Sequence, residues 1–87
     1  MTYYKVQLKK SAEKILFKLP KPVILKVITL LKGLEHNPRP DGCKKLAGSN
    51  NTYRVRAGNY RVVYSIFDDV LLVDVIKIGH RKDIYNK

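Results

Sequence analysis

The order of patterns along the chain predicts an α+β domain: an N-terminal strand, a helical hairpin, then a three- to four-stranded antiparallel sheet with the helices on one face. Three observations predict it. Apolar alternation at period two opens the chain, two helix-period stripes follow, and beyond a proline- and glycine-dense stretch at 37–42 the period returns to two. A length of 87 residues fits a single domain spanning 1–87, with no room for a large pocket beside the core. The working surface should therefore be open and shallow.

Tyr3 to Leu8 alternates, with Tyr4, Val6 and Leu8 on one side and Tyr3, Lys5 and Gln7 on the other, as a half-buried strand requires. Ser11 is a candidate cap for a short helix in which Ala12, Ile15, Leu16 and Leu19 recur at helical spacing until Pro20 stops it. Pro22 suits the first turn of a second helix, whose stripe of Val23, Ile24, Val27, Ile28, Leu31 and Leu34 runs to Glu35 or His36. Asn37 to Gly42 is the one obvious linker. Lys44 to Ala47 reads as a short strand, Gly48 to Asn51 as a turn, Thr52 to Ala57 and Tyr60 to Phe67 as strands, and Val70 to Ile78 as a nearly continuous apolar strand. Gly58-Asn59 joins two of them as a two-residue hairpin loop of the glycine-first type.

Charge narrows the function classes. Eighteen Lys and Arg face seven Asp and Glu, a net charge of +11, which is self-repulsive on so small a body and points to a polyanion or an acidic protein as partner. An apolar fraction of 45% excludes a disordered basic tail. Cys43 is the sole cysteine, so there is no intrachain disulfide and no cysteine-rich zinc site, and a reducing, cytoplasmic setting is expected. No apolar run is long enough for a membrane span.

The hairpin carries the strongest inference. A two-residue loop sets Ala57 opposite Tyr60 and hence Arg56 opposite Arg61, while Arg54 lies on the same face opposite Val63. Three guanidinium groups converge, although like charges placed directly opposite destabilise a sheet by a few tenths to about 1 kcal/mol. A solvated basic face is the bland alternative, with Asp74 neutralising it, since a two-residue turn at Asp68-Asp69 sets Asp74 level with Val63 and Arg54. Arginine rather than lysine favours phosphate, because the planar fork donates bidentately to its oxygens. Downstream, His80, Arg81 and Tyr85 bring an imidazole, another guanidinium and a phenol to the end of the sheet. Cleavage of RNA by its own 2′-OH needs such groups: a base for the hydroxyl proton, cations for the charge on phosphorus, and an acid for the departing 5′ oxygen. The bland readings are a strand-end His80 and a Tyr85 that packs as an anchor.

The segments Lys45-Leu46-Ala47-Gly48, Tyr53-Arg54-Val55-Arg56, Gly58-Asn59-Tyr60-Arg61-Val62-Val63-Tyr64 and Val75 through Tyr85 together resemble RelE-type toxins of bacterial toxin–antitoxin pairs, over essentially the whole chain. The resemblance implies a metal-independent, cofactor-free endoribonuclease that cuts messenger RNA in the ribosomal A site and is silenced by an antitoxin wrapped around it. It implies an active site at Arg54, Arg56, Arg61, Arg81 and Tyr85. The best-known members carry lysines on the third strand where this chain has arginines. Arginine does not give up its proton, so Arg54 and Arg56 are expected to bind substrate phosphate, Arg61 and Arg81 to hold the scissile phosphate, and His80 or Tyr85 to act as base. The lysines of the first half would steer the protein toward messenger and ribosomal RNA and suit an acidic antitoxin, through which alone oligomers are expected.

Two other classes compete. ParE-type toxins are similar in fold and size but inhibit DNA gyrase. A non-catalytic RNA-binding homologue would keep the arginines and lack the acid–base groups. Metal-dependent chemistry is disfavoured because Asp68, Asp69 and Asp74 form no cluster, and Cys43 with His36 lacks a ligand set.

Overall fold

The structure, a computed structural model, describes residues 3–80. Seven elements follow one another: β1 (Lys5–Leu8), α1 (Lys10–Lys18), α2 (Lys21–His36), β2 (Lys44–Lys45), β3 (Thr52–Ala57), β4 (Tyr60–Phe67) and β5 (Leu72–His80). The strands make one sheet in the order β1-β5-β4-β3-β2, antiparallel except for the parallel β1–β5 pair. The predicted fold class holds, with the N-terminal strand joining the far edge of the sheet.

Local chemistry explains the boundaries. The Lys9 amide donates to the Val75 carbonyl (2.9 Å), and Lys9 keeps an extended backbone (ψ 150°) as the N-cap residue of α1. Ser11 is therefore already inside the first turn, and no side chain caps this helix. Glu13, in the same turn, complements the helix dipole. Leu19, expected as the last helical residue, is instead the C-cap, extended (ψ 158°) because the ring of Pro20 disfavours helical geometry before it. Pro20 caps α2, Pro22 occupies its first turn, and Pro38 follows just beyond Asn37, its C-cap. The strand predicted from Tyr3 begins at Lys5 because the Tyr4 amide is taken by the Glu35 carbonyl (2.8 Å), which ties β1 to the end of α2.

Both helices cover one face of the sheet. Ala12, Leu16, Val27, Leu31 and Leu34 pack with Val55, Val62, Tyr64, Ile66, Val73, Val75 and Ile78 in a single buried cluster. Each of these strand residues alternates with neighbours on the opposite, helix-free face, so the sequence period of two becomes two chemically distinct surfaces.

Candidate anion-binding site on the open sheet face

The β3–β4 hairpin has the register that its loop predicts: Ala57 opposite Tyr60, Arg56 opposite Arg61 and Arg54 opposite Val63. Gly58, at φ 63°, occupies the left-handed region where a side chain would be strained. Val55 and Ala57 are buried against the helices, which leaves Arg54, Arg56 and Arg61 together on the helix-free face. Lys44 joins them from the edge strand, opposite Arg54. These four cations, with Gly42 and Val55, line a shallow cavity of about 230 Å³.

The other side of this face departs from expectation. The β4–β5 connection takes four residues, Asp68 to Leu71, where two were predicted, so Asp74 lies opposite Ser65 and not level with Val63. There it is approached by Lys9 Nζ at 4.0 Å and by the Gln7 side-chain amide, which donates at 3.5 Å. It is the only carboxylate on the open face of the described strands, and its register is away from the arginines. A second irregularity follows: Val63 pairs with Lys77 but Tyr64 with Val75, so Ile76 is an inserted, unpaired residue. A one-residue bulge reverses the faces of everything after it. Lys77 consequently turns to the open face and Ile78 enters the core. Val63, 7% exposed yet outside the main core cluster, sits in register between Arg54 and Lys77.

The same bulge sets the face of His80. The sequence reading brings its imidazole to the end of the sheet as a candidate base, and His80 does end β5, but its register partner is Tyr60, on the helix-covered side. The two rings meet edge to face with centroids 5.4 Å apart. They border an apolar groove of about 350 Å³ that Ile15 of α1 and its C-cap Leu19 also line. The structure therefore brings Arg54, Arg56 and Arg61 together and does not bring His80 to them. Arg81 and Tyr85 lie outside the described residues.

Arg39, read only as part of a turn, proves to be a structural hub. Its guanidinium donates to both Asp68 oxygens (Nη2 to Oδ2 2.8 Å, Nη1 to Oδ1 3.3 Å) and through Nε to the Tyr53 hydroxyl (3.2 Å). The Tyr4 hydroxyl donates to Asp68 Oδ1 (2.7 Å). Hydrogen bonds from Arg39, and then Tyr4, hold the Asp68 carboxyl below its ordinary pKa, while the same bonds to Asp68 push the Tyr4 phenol and the Arg39 guanidinium up. Beneath this clamp the buried Tyr64 hydroxyl donates to the Pro38 carbonyl (2.8 Å), and burial, with Cys43 next to it, raises the Tyr64 phenol well above its ordinary value. No sequence signal marks Arg39, whose partners are 14 and 29 residues away.

Cys43 and His36 have local explanations. Cys43 is half-buried beside Tyr64, and His36 packs edge-on against Tyr3 at 4.7 Å. Among the described residues no three His, Cys, Asp or Glu side chains come together in a way that would hold a metal ion. No described helix is long and apolar enough to cross a membrane.

Comparison with known proteins gives a consistent result. A family model described as the ParE toxin of the type II toxin–antitoxin system, parDE, matches residues 6–85. Toxin RelG of Mycobacterium tuberculosis is 33% identical over 97% of this chain and 98% of its own. Among solved structures, the archaeal RelE–RelB complex of Pyrococcus horikoshii contains a chain 32% identical, with a TM-score of 0.82 over 93% of this chain and 97% of that one. The intact RelBE toxin–antitoxin complex of E. coli gives 29% identity and a TM-score of 0.77 over 88% and 95% of the two chains.

Proposed function

Since the chain belongs to the ParE toxin family of type II toxin–antitoxin systems and is a toxin of the RelE type, we propose that it is a metal-independent endoribonuclease that cuts messenger RNA in the ribosomal A site. The observation that carries this reading is the gathering of Lys44, Arg54, Arg56 and Arg61 around one shallow cavity on an uncovered sheet face. An exposed strand of phosphates fits such a surface, and a small-molecule substrate needing enclosure does not.

In this mechanism Arg54 and Arg56 hold substrate phosphates, and Arg61 with Arg81 holds the scissile one. The ribose 2′ oxygen attacks phosphorus as its proton passes to a base, and the 5′ oxygen departs with a proton. The products end in a 2′,3′-cyclic phosphate and a 5′-hydroxyl. Guanidinium groups stabilise the negative charge that grows on the phosphoryl oxygens. With His80 turned to the helix side, Tyr85 is the group assigned the base role.

The neighbouring structures are of toxin–antitoxin complexes, which supports an antitoxin as the partner that silences this chain. An acidic one suits the net charge of +11, and the toxin is expected to oligomerise only through it, in the cytoplasm. The RNA partners are the message and ribosomal RNA. The test is to map cut sites on a translated message with and without ribosomes. Ribosome-dependent cuts that end in cyclic phosphate and vanish when the cut nucleotide is 2′-deoxy support the reading.

The description of the matching family favours a second reading, inhibition of DNA gyrase in the manner of ParE-type toxins. Growth arrest with intact messages and an SOS response would establish it in place of the nuclease. Intact messages bound by the protein without an SOS response would identify a non-catalytic RNA binder.

A further inference from the structure

Lys44 and Lys45 make up the whole of the edge strand β2, and their side chains alternate. Lys45 is opposite Tyr53, while Lys44 is opposite Arg54 on the open face and lines the cavity with Arg54, Arg56 and Arg61. Edge-strand lysines serve to block pairing with other chains, a role that either residue fills. Only Lys44 is also placed among the arginines. Among the described residues neither Lys44 nor Arg56 forms an ion pair.

The register arranges the four cations in two rows. Lys44 and Arg54 form one, and Arg56 and Arg61 form the other, two residues further along β3. Partners within a row stand about 5 Å apart at Cβ, close enough to hold one phosphate from both sides. The rows are displaced by two residues along β3, about 6.7 Å, and by one strand across the sheet, about 4.8 Å, so their centres lie about 8 Å apart, a span that long lysine and arginine side chains can close to the separation of consecutive phosphates on an extended single strand. Resting on the phosphate-cradle reading above, we propose that Lys44 completes a second phosphate subsite. In this arrangement Arg56 bears on the scissile phosphate that Arg61 and Arg81 hold, and the Lys44–Arg54 row takes its neighbour on the same RNA strand.

Two nucleotides separate this inference from the reading beneath it. Adenosine 3′-monophosphate presents one phosphate, and adenosine 3′,5′-bisphosphate presents two consecutive ones. Titration calorimetry on the full chain should show the bisphosphate binding more tightly to the parent. Lys44→Gln should weaken the bisphosphate by roughly three- to tenfold, as loss of one exposed charge-assisted contact would, and leave the monophosphate unchanged. Lys45→Gln, the same charge change on the other face, should alter neither. With a non-cleavable single-stranded RNA, Lys44→Gln should also reduce the slope of log affinity against log salt by about 0.7, the value for one phosphate contact. Equal weakening by the two variants, or no effect of Lys44→Gln, overturns the second subsite. If Arg61→Ala still abolishes monophosphate binding in that case, the cradle itself stands. A parent protein that binds neither nucleotide overturns both.

Discussion

Arg39 and Arg56 are the same side chain put to opposite uses. Arg39 is neutralised by a bidentate carboxylate at 2.8 and 3.3 Å, bonded to one tyrosine hydroxyl, and lies over that tyrosine's ring with Cζ 5.4 Å from the centroid. It joins the 37–42 loop to the β4–β5 turn. Arg56 is exposed, faces Arg61 directly, and forms no ion pair among the described residues. Where a guanidinium serves folding, this chain supplies its counter-charge and a ring. On the open face it gathers like charges at a cost to stability, which a bound RNA phosphate offsets in the function proposed above. The convergence of cations on one face marks the candidate site better than charge density alone, because most of the lysines are on the first half of the chain, away from the cavity.

The sharpest way to break this contrast is Arg61→Ala. RNA cleavage should fall by about 100-fold or more, the loss typical of removing a group that stabilises transition-state charge, while the melting temperature stays level or rises. A parallel collapse in thermal stability would make Arg61 structural. Tyr64→Phe probes the opposite region. Leaving the buried Pro38 carbonyl without its donor should cost about 1–2 kcal/mol in urea unfolding, with the affinity for single-stranded RNA unchanged. Arg56→Gln should weaken RNA binding by about fivefold and raise stability by a few tenths of a kcal/mol, since one member of a like-charge pair is gone.

The smallest effect is a pH dependence confined to the Arg39 clamp. Asp68 has a folded-state pKa lowered first by Arg39 and then by Tyr4. Its contribution is therefore fully present above the ordinary carboxylate value of about 3.9 and is lost as pH falls through the lowered folded value. Asp68→Asn should flatten the acid limb of a stability–pH profile without moving cleavage at neutral pH. An acid limb identical to the parent's would show that the clamp adds nothing to folding.

Much of the fold was legible because its signals are local. A two-residue loop leaves one hairpin register, so Arg54, Arg56 and Arg61 could be grouped before any coordinates existed. Pro20, Pro22 and Pro38 punctuate the helices through sterics that act on adjacent residues. What escaped was non-local. The bulge at Ile76 lies inside the nearly continuous apolar run Val70 to Ile78, where its only mark is the odd, three-residue spacing of Asp74 and Lys77 on one face, and it alone turns Lys77 outward and His80 away from the arginines. The four-residue turn that displaces Asp74 has Leu71 at φ 54°, an unusual conformation for leucine that no turn preference anticipates. Lys44 joins the site only because β2 finds β3 across the 46–51 turn, and Arg39 finds Asp68 only in the folded chain.

The most direct measurement follows the guanidinium Nε resonances of ¹⁵N-labelled protein during titration with a non-cleavable single-stranded RNA. Arg54, Arg56 and Arg61 should shift together and saturably, at low salt more than at high, while Arg39 stays in place. Shifts that include Arg39 to the same degree, or that leave the three open-face arginines untouched, would contradict the assignment of the uncovered sheet face as the RNA-binding surface.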